Sequence, residues 1–561
     1  MCIIFTMTNS EISDSFSLLA KLMDIHGEDS FKSRSYSSVA FAIDKLPVQL
    51  SETDPASIAS IKGIGASSAK KITELLNTGK LEQLEKILIS TPQGIADMLK
   101  IKGLGPKKIH TIWKEMDLEN TGELLYACKE NRLKLYKGFG EKTQETIIAN
   151  IEFYLRNKGN YLYAQTIFAA EQFLLLLKKI FSGKTVFTTG AFARQMEIIT
   201  ELEFIIEEDT VAAEKILSQQ EGFELMEKDA EHLVYITPAG INIKLYPVTE
   251  NITEKLVETS SSEAFFSALT MNHPADAGAG DEAEYFKRRN LPVIPAFARE
   301  NPEMLSSGND LSVHLLHTDV KGLIHCHSNW SDGNNTIEEM ARAAAERGME
   351  YLAISDHSKT AVYAQGLREE QIKAQHLYID ELNEKLHPFR IFKSIESDIL
   401  GDGSLDYSDS ILSTFDLVIA SVHSNLKMTE EKAMARLLAA IENPYTTILG
   451  HMTGRLLLSR PGYPLDFYRI IDACAGNDVV IELNANPNRL DMDWRYIQYA
   501  MSKNVLISVN PDAHSIKGIE DIKYGIFSAQ KALLPKEKNL SSFSLGKFEA
   551  FLNERKKKKG I

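Results

Sequence analysis

Nine imidazole and carboxylate side chains in the second half of the chain recur at one kind of place, just after a short apolar run. His325 and His327 close the first run, with Asp332 in the loop beyond; His357, Glu396, His423 and His451 close later ones, and Asp512 and His514 the last. A single histidine at such a place is usually structural, but nine are not. Alternation along an extended segment sends the imidazoles of His325-x-His327 to one side, and Cys326 between them faces away and reads as packing. Mixed nitrogen and oxygen donors suit Zn2+, Mn2+ or iron, and a carboxylate can bridge two ions. Adjacent ions lower the pKa of a water and clamp the attacking and leaving oxygens of a phosphoester. The chemistry predicted is therefore hydrolysis of a phosphoester. Arg455 and Arg460, in GHMTGRLLLSRPGY after His451, are candidates to grip the phosphate, a task suited to a bidentate guanidinium.

Positioning these residues requires strands that converge. The runs GLIHCH, YLAISDH, IFKSIESD, LVIASVHS, TTILGHM, VVIELNAN and VLISVNPDAH alternate with amphipathic helical stretches. One of these opens on Thr336-Ile-Glu-Glu339, a capping-box pattern, and another places Ala435, Leu438, Ala439 and Ile441 near one face. Seven β-then-α units imply a closed parallel barrel, whose C-terminal rim gathers side chains from different strands.

The first half is built differently. Residues 8–50 read as short amphipathic helices. Three segments then share the form apolar-x-Gly-apolar-Gly followed by a helical run: IKGIGASSAKKI, IKGLGPKKIHTI and LYKGFGEKTQETI, the third with a lead-in one residue different. The glycine pairs are Gly63 and Gly65, Gly103 and Gly105, and Gly138 and Gly140. Such pairs allow positive φ and close approach, and amides opening the second helix point at an anion. Lys70, Lys71, Lys107, Lys108 and Lys142 follow the turns and add phosphate contacts. Between 184 and 250 the period changes to that of strands: KTVFTTG, LEFIIEE, and a hairpin of LVYIT and INIKLYP around Pro238-Ala239-Gly240. From 251 to 319 the pattern is irregular, and LPVIPAFARE (291–300) reads as a linker.

Composition narrows the class. The chain of 561 residues is 44% apolar and 25% charged, too long for one core and without any apolar run that could span a membrane. The opening MCIIFTM lacks the basic flank of a signal peptide. Four scattered cysteines without CxxC spacing suit a reducing cytoplasm. A net charge of −15 argues against blanket attraction to nucleic acid but leaves room for local basic clusters. The basic tail Arg555 to Lys559 reads as a solvated helix end.

The stretches HCHSNWSDG, ISDHS, IESDILGDGSLDY, IASVHS, GHMTGRLL, IELNANPNRLDMDW and NPDAHS resemble the PHP (polymerase and histidinol phosphatase) family, in the version fused to bacterial family-X DNA polymerases. Met452 departs from the usual proline. The resemblance implies a multidomain chain: a helical region with helix-hairpin-helix motifs (1–157), an α+β nucleotidyltransferase-like fingers and palm (158–250), a reduced thumb and linker (251–319), and a distorted (β/α)7 PHP barrel (320–561). It implies that His325, His327, Glu396 and Asp512 hold one metal, that Glu396 bridges to a second with His423 and His451, and that Asp332, His357 and His514 take a third. Two to three Mn2+ or Zn2+ ions per chain are expected.

The palm departs from the family pattern. Ala191 stands where the family has serine, Ala193 where it has the first of two arginines, and only Arg194 remains. Glu201 and Glu203 replace Asp-x-Asp, Asn242 replaces the third aspartate, and no nucleotide-binding turn is evident in FFSALTMNH. The expected function is a DNA phosphodiesterase acting 3′→5′ in repair, with abasic-site or 3′-phosphate cleavage as variants and nucleotide addition lost. The competing readings are a histidinol-phosphatase-type enzyme, a DNA-binding scaffold and an active gap-filling polymerase. The expected partner is gapped or 3′-ended DNA without sequence preference, bound by a cytoplasmic monomer with no membrane.

Overall fold

A computed structural model describes residues 7–129, 133, 136–237, 240–275, 280–306, 311, 314–458 and 460–561. The chain divides into two compact units, Met1–Lys158 and Gly159–Ile561.

The first unit is helical. Helices Asn9–His26 and Ser30–Asp44 pack on one another, and Phe16, Leu19, Leu22 and Met23 of the first are buried, the set that helical spacing predicts. Thr8 caps that helix reciprocally with Glu11. All three glycine pairs adopt one conformation. Gly63, Gly103 and Gly138 have φ of 92°, 84° and 93°, while Gly65, Gly105 and Gly140 are extended and open the helices beginning at Ala66, Pro106 and Glu141. The apolar residue between each pair (Ile64, Leu104, Phe139) plugs into the core of the unit. Leu135, in the lead-in to the third motif, lies outside the described residues.

The second unit contains two sheets of five and seven strands, besides a two-stranded ribbon that pairs Tyr161–Leu162 with Ile198–Ile199. The smaller has strands β1 (Val186–Thr189), β2 (Glu201–Ile206), β3 (Glu224–Lys228), β4 (Leu233–Ile236) and β5 (Asn242–Pro247), in the order β1-β2-β5-β4-β3. β3 was not expected, because all five of its side chains are exposed and no alternation marks it. Pro238 and Ala239 of the expected turn are not among the described residues. The 251–319 stretch is more ordered than its pattern suggests. Helices Ile252–Thr259, Glu263–Asn272 and Glu282–Arg288 bury Val257, Phe265, Leu269, Tyr285 and Phe286, but at 7–10 residues each is too short to show a clear period. Leu291–Glu300 is not a solvated linker. Arg299 is buried there, donating to the Ile294 carbonyl (2.8 Å), Ser260 Oγ (2.6 Å) and Glu282 (2.7 Å).

The larger sheet is the expected one: seven parallel strands, β6 (Gly322–Cys326), β7 (Tyr351–Ile354), β8 (Arg390–Asp398), β9 (Leu417–Ser421), β10 (Thr446–Leu449), β11 (Val480–Asn484) and β12 (Ile507–Asn510), in chain order across the sheet. A parallel bridge between Cys326 and Ala513 brings the two edges together, so the sheet is nearly closed into a barrel. Thr336 and Glu339 form the predicted capping box. Helix Glu430–Glu442 instead buries Met434, Leu437, Ala440 and Ile441, leaving Ala435 and Ala439 exposed. Its face is shifted from the one expected, and on that face Arg436 is also buried, donating to the Ile399 and Leu400 carbonyls.

The barrel interior is apolar. Ile324, Tyr351, Phe392, Ile419, Ile448 and Val480 meet Phe543, Phe548 and Leu552 of the C-terminal segment, and Tyr351 stacks on Phe548 with ring centres 4.6 Å apart. This segment also overturns the reading of the basic tail. Arg555 is buried and donates to the carbonyls of Asp478, Pro444 and Thr446, and Lys556 donates to that of Phe415 (2.6 Å). Carbonyls at or just before the starts of the strands hold these cations.

Candidate metal centre

All nine rim residues converge. Glu396, at the end of β8, lies among five imidazoles: His451 Nε2 at 2.9 Å, His357 Nδ1 at 3.0 Å, His423 Nε2 at 3.1 Å, His325 Nε2 at 3.3 Å and His327 Nε2 at 3.7 Å. Asp512 Oδ1 is 3.1 Å from His327 and 3.5 Å from His325. Asp332 stands 3.5 Å from His357 and 3.4 Å from His514. Three groups offer converging donor atoms: His325, His327 and Asp512; His357, Glu396 and His423; and His327, Asp332, His357 and His514. His357, expected with the third group alone, also reaches Glu396.

Two of the residues hold strained backbone, with φ of +67° at His325 and +51° at Asp512, conformations that persist only where the surroundings impose them. The Asp332 loop is tight: a Cβ on Gly333 would lie 2.7 Å from the Ser328 carbonyl carbon.

Behind the rim lies a second layer that sequence reasoning did not single out. Glu482, in mid-β11, holds His325 Nδ1 at 2.6 Å and accepts the His451 amide at 2.8 Å. Asp398 holds His423 Nδ1. Asp356 accepts from the Ser328 amide and hydroxyl, the Ser331 hydroxyl and Gln375, fixing the loop that carries Asp332. A carboxylate inside a buried strand was the available signal for Glu482. Bonds from such partners fix the tautomer and orientation of a liganding imidazole.

The electrostatics follow from this crowding. Burial alone would lower His357 and His423, but Glu396, with Asp332 beside one and Asp398 beside the other, holds them up to about 10 and about 9. His327 is pushed down to about 3 by burial and by its neighbours His514 and His357. Glu396 and Asp512 are kept well below the usual carboxylate range by the histidines around them, against burial. His325 Nε2, His327 Nδ1, His451 Nδ1 and Glu396 Oε2 are buried and make no hydrogen bond. Buried polar atoms left in that state need a partner, and nitrogen and carboxylate donors at this density fit divalent transition metals.

Of the two arginines after His451, Arg455 donates to Asp493 (2.8 Å) and to the carbonyls of Arg489 (2.9 Å) and Leu490. Arg460 donates to the Gly454 carbonyl at 2.8 and 3.1 Å. The guanidinium at the cluster is Arg489, whose Nε is 3.7 Å from Asp512 Oδ2.

In the smaller sheet, β2 and β5 pair in parallel with Glu201 opposite Asn242 and Glu203 opposite Lys244. Glu203 is occupied internally, accepting the Ala191 amide (3.1 Å) and the Tyr246 hydroxyl (2.9 Å). It lies so close to Gly190 (φ +68°) that a Cβ there would fall 1.7 Å from its Oε1. Lys244 Nζ sits 3.8 Å from Glu201. Arg194 is taken by Glu300 and the carbonyls of Thr259 and Ser261. The stretch FFSALTMNH forms no turn before its last residue, lying in an uninterrupted helix, Glu263–Asn272.

On the glycine motifs, Lys70 and Lys107 are exposed, while Lys108 donates to the Gly103 carbonyl at 3.1 Å. A Cβ built on Gly65, Gly105 or Gly140 would meet nothing, and none of the three has positive φ. The chain's own packing therefore leaves the space above each of them open.

The seven-stranded barrel and its histidine-rich rim define a PHP-domain protein, and the PHP domain family matches residues 324–486. Helix-hairpin-helix families match residues 7–81 (Helix-hairpin-helix domain) and 95–152 (SAM-like Helix-hairpin-helix tandem). Over 557 residues the chain is 31% identical to the DNA polymerase/3′-5′ exonuclease PolX of Bacillus subtilis, covering 95% of this chain and 97% of that protein. It is also 28% identical over 240 residues to a probable phosphatase of Caldanaerobacter subterraneus, covering 40% of this chain and 88% of the relative. A probable phosphatase of Aliivibrio fischeri is 27% identical over 232 residues, 39% of this chain and 87% of the relative. The chain belongs to the PolX family, bacterial family-X DNA polymerases that carry a PHP domain. Among the described residues no helix is long and apolar enough to cross a membrane.

Proposed function

We propose that the rim cluster is the active site of a metal-dependent DNA phosphodiesterase that acts at 3′ ends. The observation that carries this reading is Glu396 buried among five imidazoles, with nitrogen and oxygen atoms around it left without hydrogen bonds. His325, His327, Asp332, His357, Glu396, His423, His451, Asp512 and His514 would hold two to three Mn2+ or Zn2+ ions. When bound, such ions supply Lewis-acid activation of water and offset the charge that builds on the phosphoryl oxygens. Glu482 and Asp398 keep His325 and His423 in the tautomer that presents Nε2 inward. The printed activity of the Bacillus relative, a 3′-5′ exonuclease, supports DNA as the substrate. The decisive assay supplies Mn2+ with 3′-labelled and 5′-labelled DNA beside histidinol phosphate. Release of mononucleotides from the 3′ label first is expected; hydrolysis of histidinol phosphate alone would favour the small-molecule reading that the phosphatase relatives suggest.

The helix-hairpin-helix region would hold the DNA backbone. Gly65, Gly105 and Gly140 have open space above them, which suits close approach by a phosphate. The fragment 1–157 is expected to bind DNA with little sequence preference and an affinity that falls steeply with salt, as counterion release requires. Gly105→Val should leave its melting temperature nearly unchanged and weaken binding about tenfold or more, since the new side chain obstructs only an outside partner. Binding that ignores salt would contradict this role.

Nucleotide addition is absent in this reading. Two metals at a polymerase centre need short carboxylates in fixed geometry, and here Glu203 is consumed by Ala191 and Tyr246 while Asn242 is neutral. With a primed template and all four nucleotides, the primer should shorten and not grow. In an H325A/E396A background, where degradation cannot mask synthesis, it should stay unchanged. Template-directed extension there would overturn the assignment.

A further inference from the structure

The connection between β1 and β2 of the palm-like region touches the barrel at a side chain with no part in either chemistry. Glu197 follows the turn that carries Ala191, Ala193 and Arg194, and its backbone is pinned by the Tyr163 amide (3.1 Å). Its carboxylate, 8% exposed as a residue, accepts from Trp494 Nε1 (2.9 Å) and Arg495 Nη1 (3.0 Å) of the barrel. From there one chain of contacts leads to the candidate metal centre. Arg495 also grips Asp493 (2.9 and 3.0 Å), Asp493 accepts from Arg455 (2.8 Å), and Arg455 holds the carbonyls of Arg489 and Leu490. Arg489 in turn directs its guanidinium at Asp512. Two cations also lie near the Trp494 ring, Arg495 at 4.6 Å and Lys531 Nζ at 4.8 Å from its centre. Lys531 donates back to the Arg194 carbonyl (2.7 Å). The segment is tied from the other side too, where the Thr453 amide and hydroxyl donate to Asp491 (2.9 and 2.8 Å).

We propose that the palm-like region braces the phosphoesterase rim, with Glu197 as a positioning residue that fixes the Arg489 loop, so that Arg489 meets the negative charge of the scissile phosphate beside Asp512. This rests on the phosphodiesterase reading above. Arg489 is the guanidinium at the cluster, and a planar donor pair there suits a phosphate oxygen. Its amide is held locally by the Asn486 carbonyl (2.8 Å), while its own carbonyl is tethered to Arg455, and through Asp493 and Arg495 to a carboxylate in the connection between β1 and β2. A palm without nucleotide chemistry would then still be needed for hydrolysis.

The test uses the full chain with Mn2+, bis(p-nitrophenyl) phosphate as substrate, and the variants Arg489→Ala, Glu197→Ala, Glu197→Gln and the double alanine variant. Arg489→Ala should lower kcat about a hundredfold and Glu197→Ala about tenfold, with KM changed less than kcat in both. The double variant should match Arg489→Ala to within about twofold, because the two residues act in series. Glu197→Gln, which keeps an acceptor for Trp494, should recover most of the lost rate. Titration with Mn2+ alone gives a readout independent of turnover. Removing the cation next to Asp512 in Arg489→Ala, or freeing it from that place in Glu197→Ala, should tighten manganese binding a few-fold in both. Multiplicative losses in the double variant, an inert Arg489→Ala, or manganese affinity that changes in Arg489→Ala but not in Glu197→Ala would overturn the proposal. Should Glu197→Ala not fold, Glu197→Gln and Trp494→Phe carry the same comparison. If the unaltered protein cleaves no phosphodiester, the phosphodiesterase reading fails, while the manganese titrations still decide whether Glu197 and Arg489 are coupled.

Discussion

Glu396→Ala should abolish phosphoesterase activity, with a loss on the order of a thousandfold or more, roughly 4 kcal/mol of transition-state stabilisation. Among the described residues no other carboxylate stands within 4 Å of His325, His327, His357, His423 and His451 together, so its removal breaks the group it forms with His357 and His423 and takes the shared carboxylate from beside the other two. His325→Ala removes one donor that a water can replace and should cost less, about a hundredfold. DNA retention should survive in both variants, because the helix-hairpin-helix motifs form part of a separate compact unit with its own core. Elemental analysis should show fewer ions per chain in Glu396→Ala than in His325→Ala. Undiminished hydrolysis in both variants would remove the cluster from the chemistry.

Metal uptake should release protons and depend steeply on pH. In the metal-free protein Glu396 holds His357 at about 10 and His423 at about 9, against burial, so both are cationic at neutral pH. A metal needs neutral imidazole, so loading expels at least these two protons, and the conditional affinity for Mn2+ should rise about a hundredfold per pH unit between pH 7 and 9. The sign for stability runs the other way. A histidine raised in the folded state stabilises fully below its ordinary value of 6.5 and loses that contribution as pH climbs through 9 to 10. Chelated protein should therefore lose stability across this window, while metal-loaded protein should not. Calorimetry in two buffers of different ionisation enthalpy counts the protons; a count near zero would mean that the imidazoles are not the ligands.

The barrel was legible because each of its strands is a short apolar run ending in a residue of the wrong polarity for a core. Two periodicities agreed, the strand and the helix between, and they left one topology. The nine rim residues were visible for the same reason. The layer behind them was not: Glu482 lies inside its strand and reads as part of the run, Asp398 closes a strand already marked by Glu396, and Asp356 adjoins a histidine that drew the attention. Nearness in sequence to His451 was a poor guide to Arg455, whose guanidinium turns away to the Arg489–Asp493 segment, whereas Arg489 arrives at the cluster from a later loop. The helices between 252 and 288 escaped because two turns of helix hold too few apolar positions to establish a period.

Glu203 carries a consequence for how this lineage can change. Its longer side chain is what reaches both the Ala191 amide and the Tyr246 hydroxyl over the bare Cα of Gly190. Shortening it to aspartate, the first step back toward a nucleotide-adding ancestor, would withdraw the acceptor from two enclosed donors, at a cost of about 1–3 kcal/mol for each one left unsatisfied. Nothing would be regained in exchange until Asn242 and the missing turn had also been rebuilt. On the proposed reading, each single reversal is uphill before any of them is useful, and a loss of synthesis would act as a ratchet that selection on individual substitutions cannot turn back.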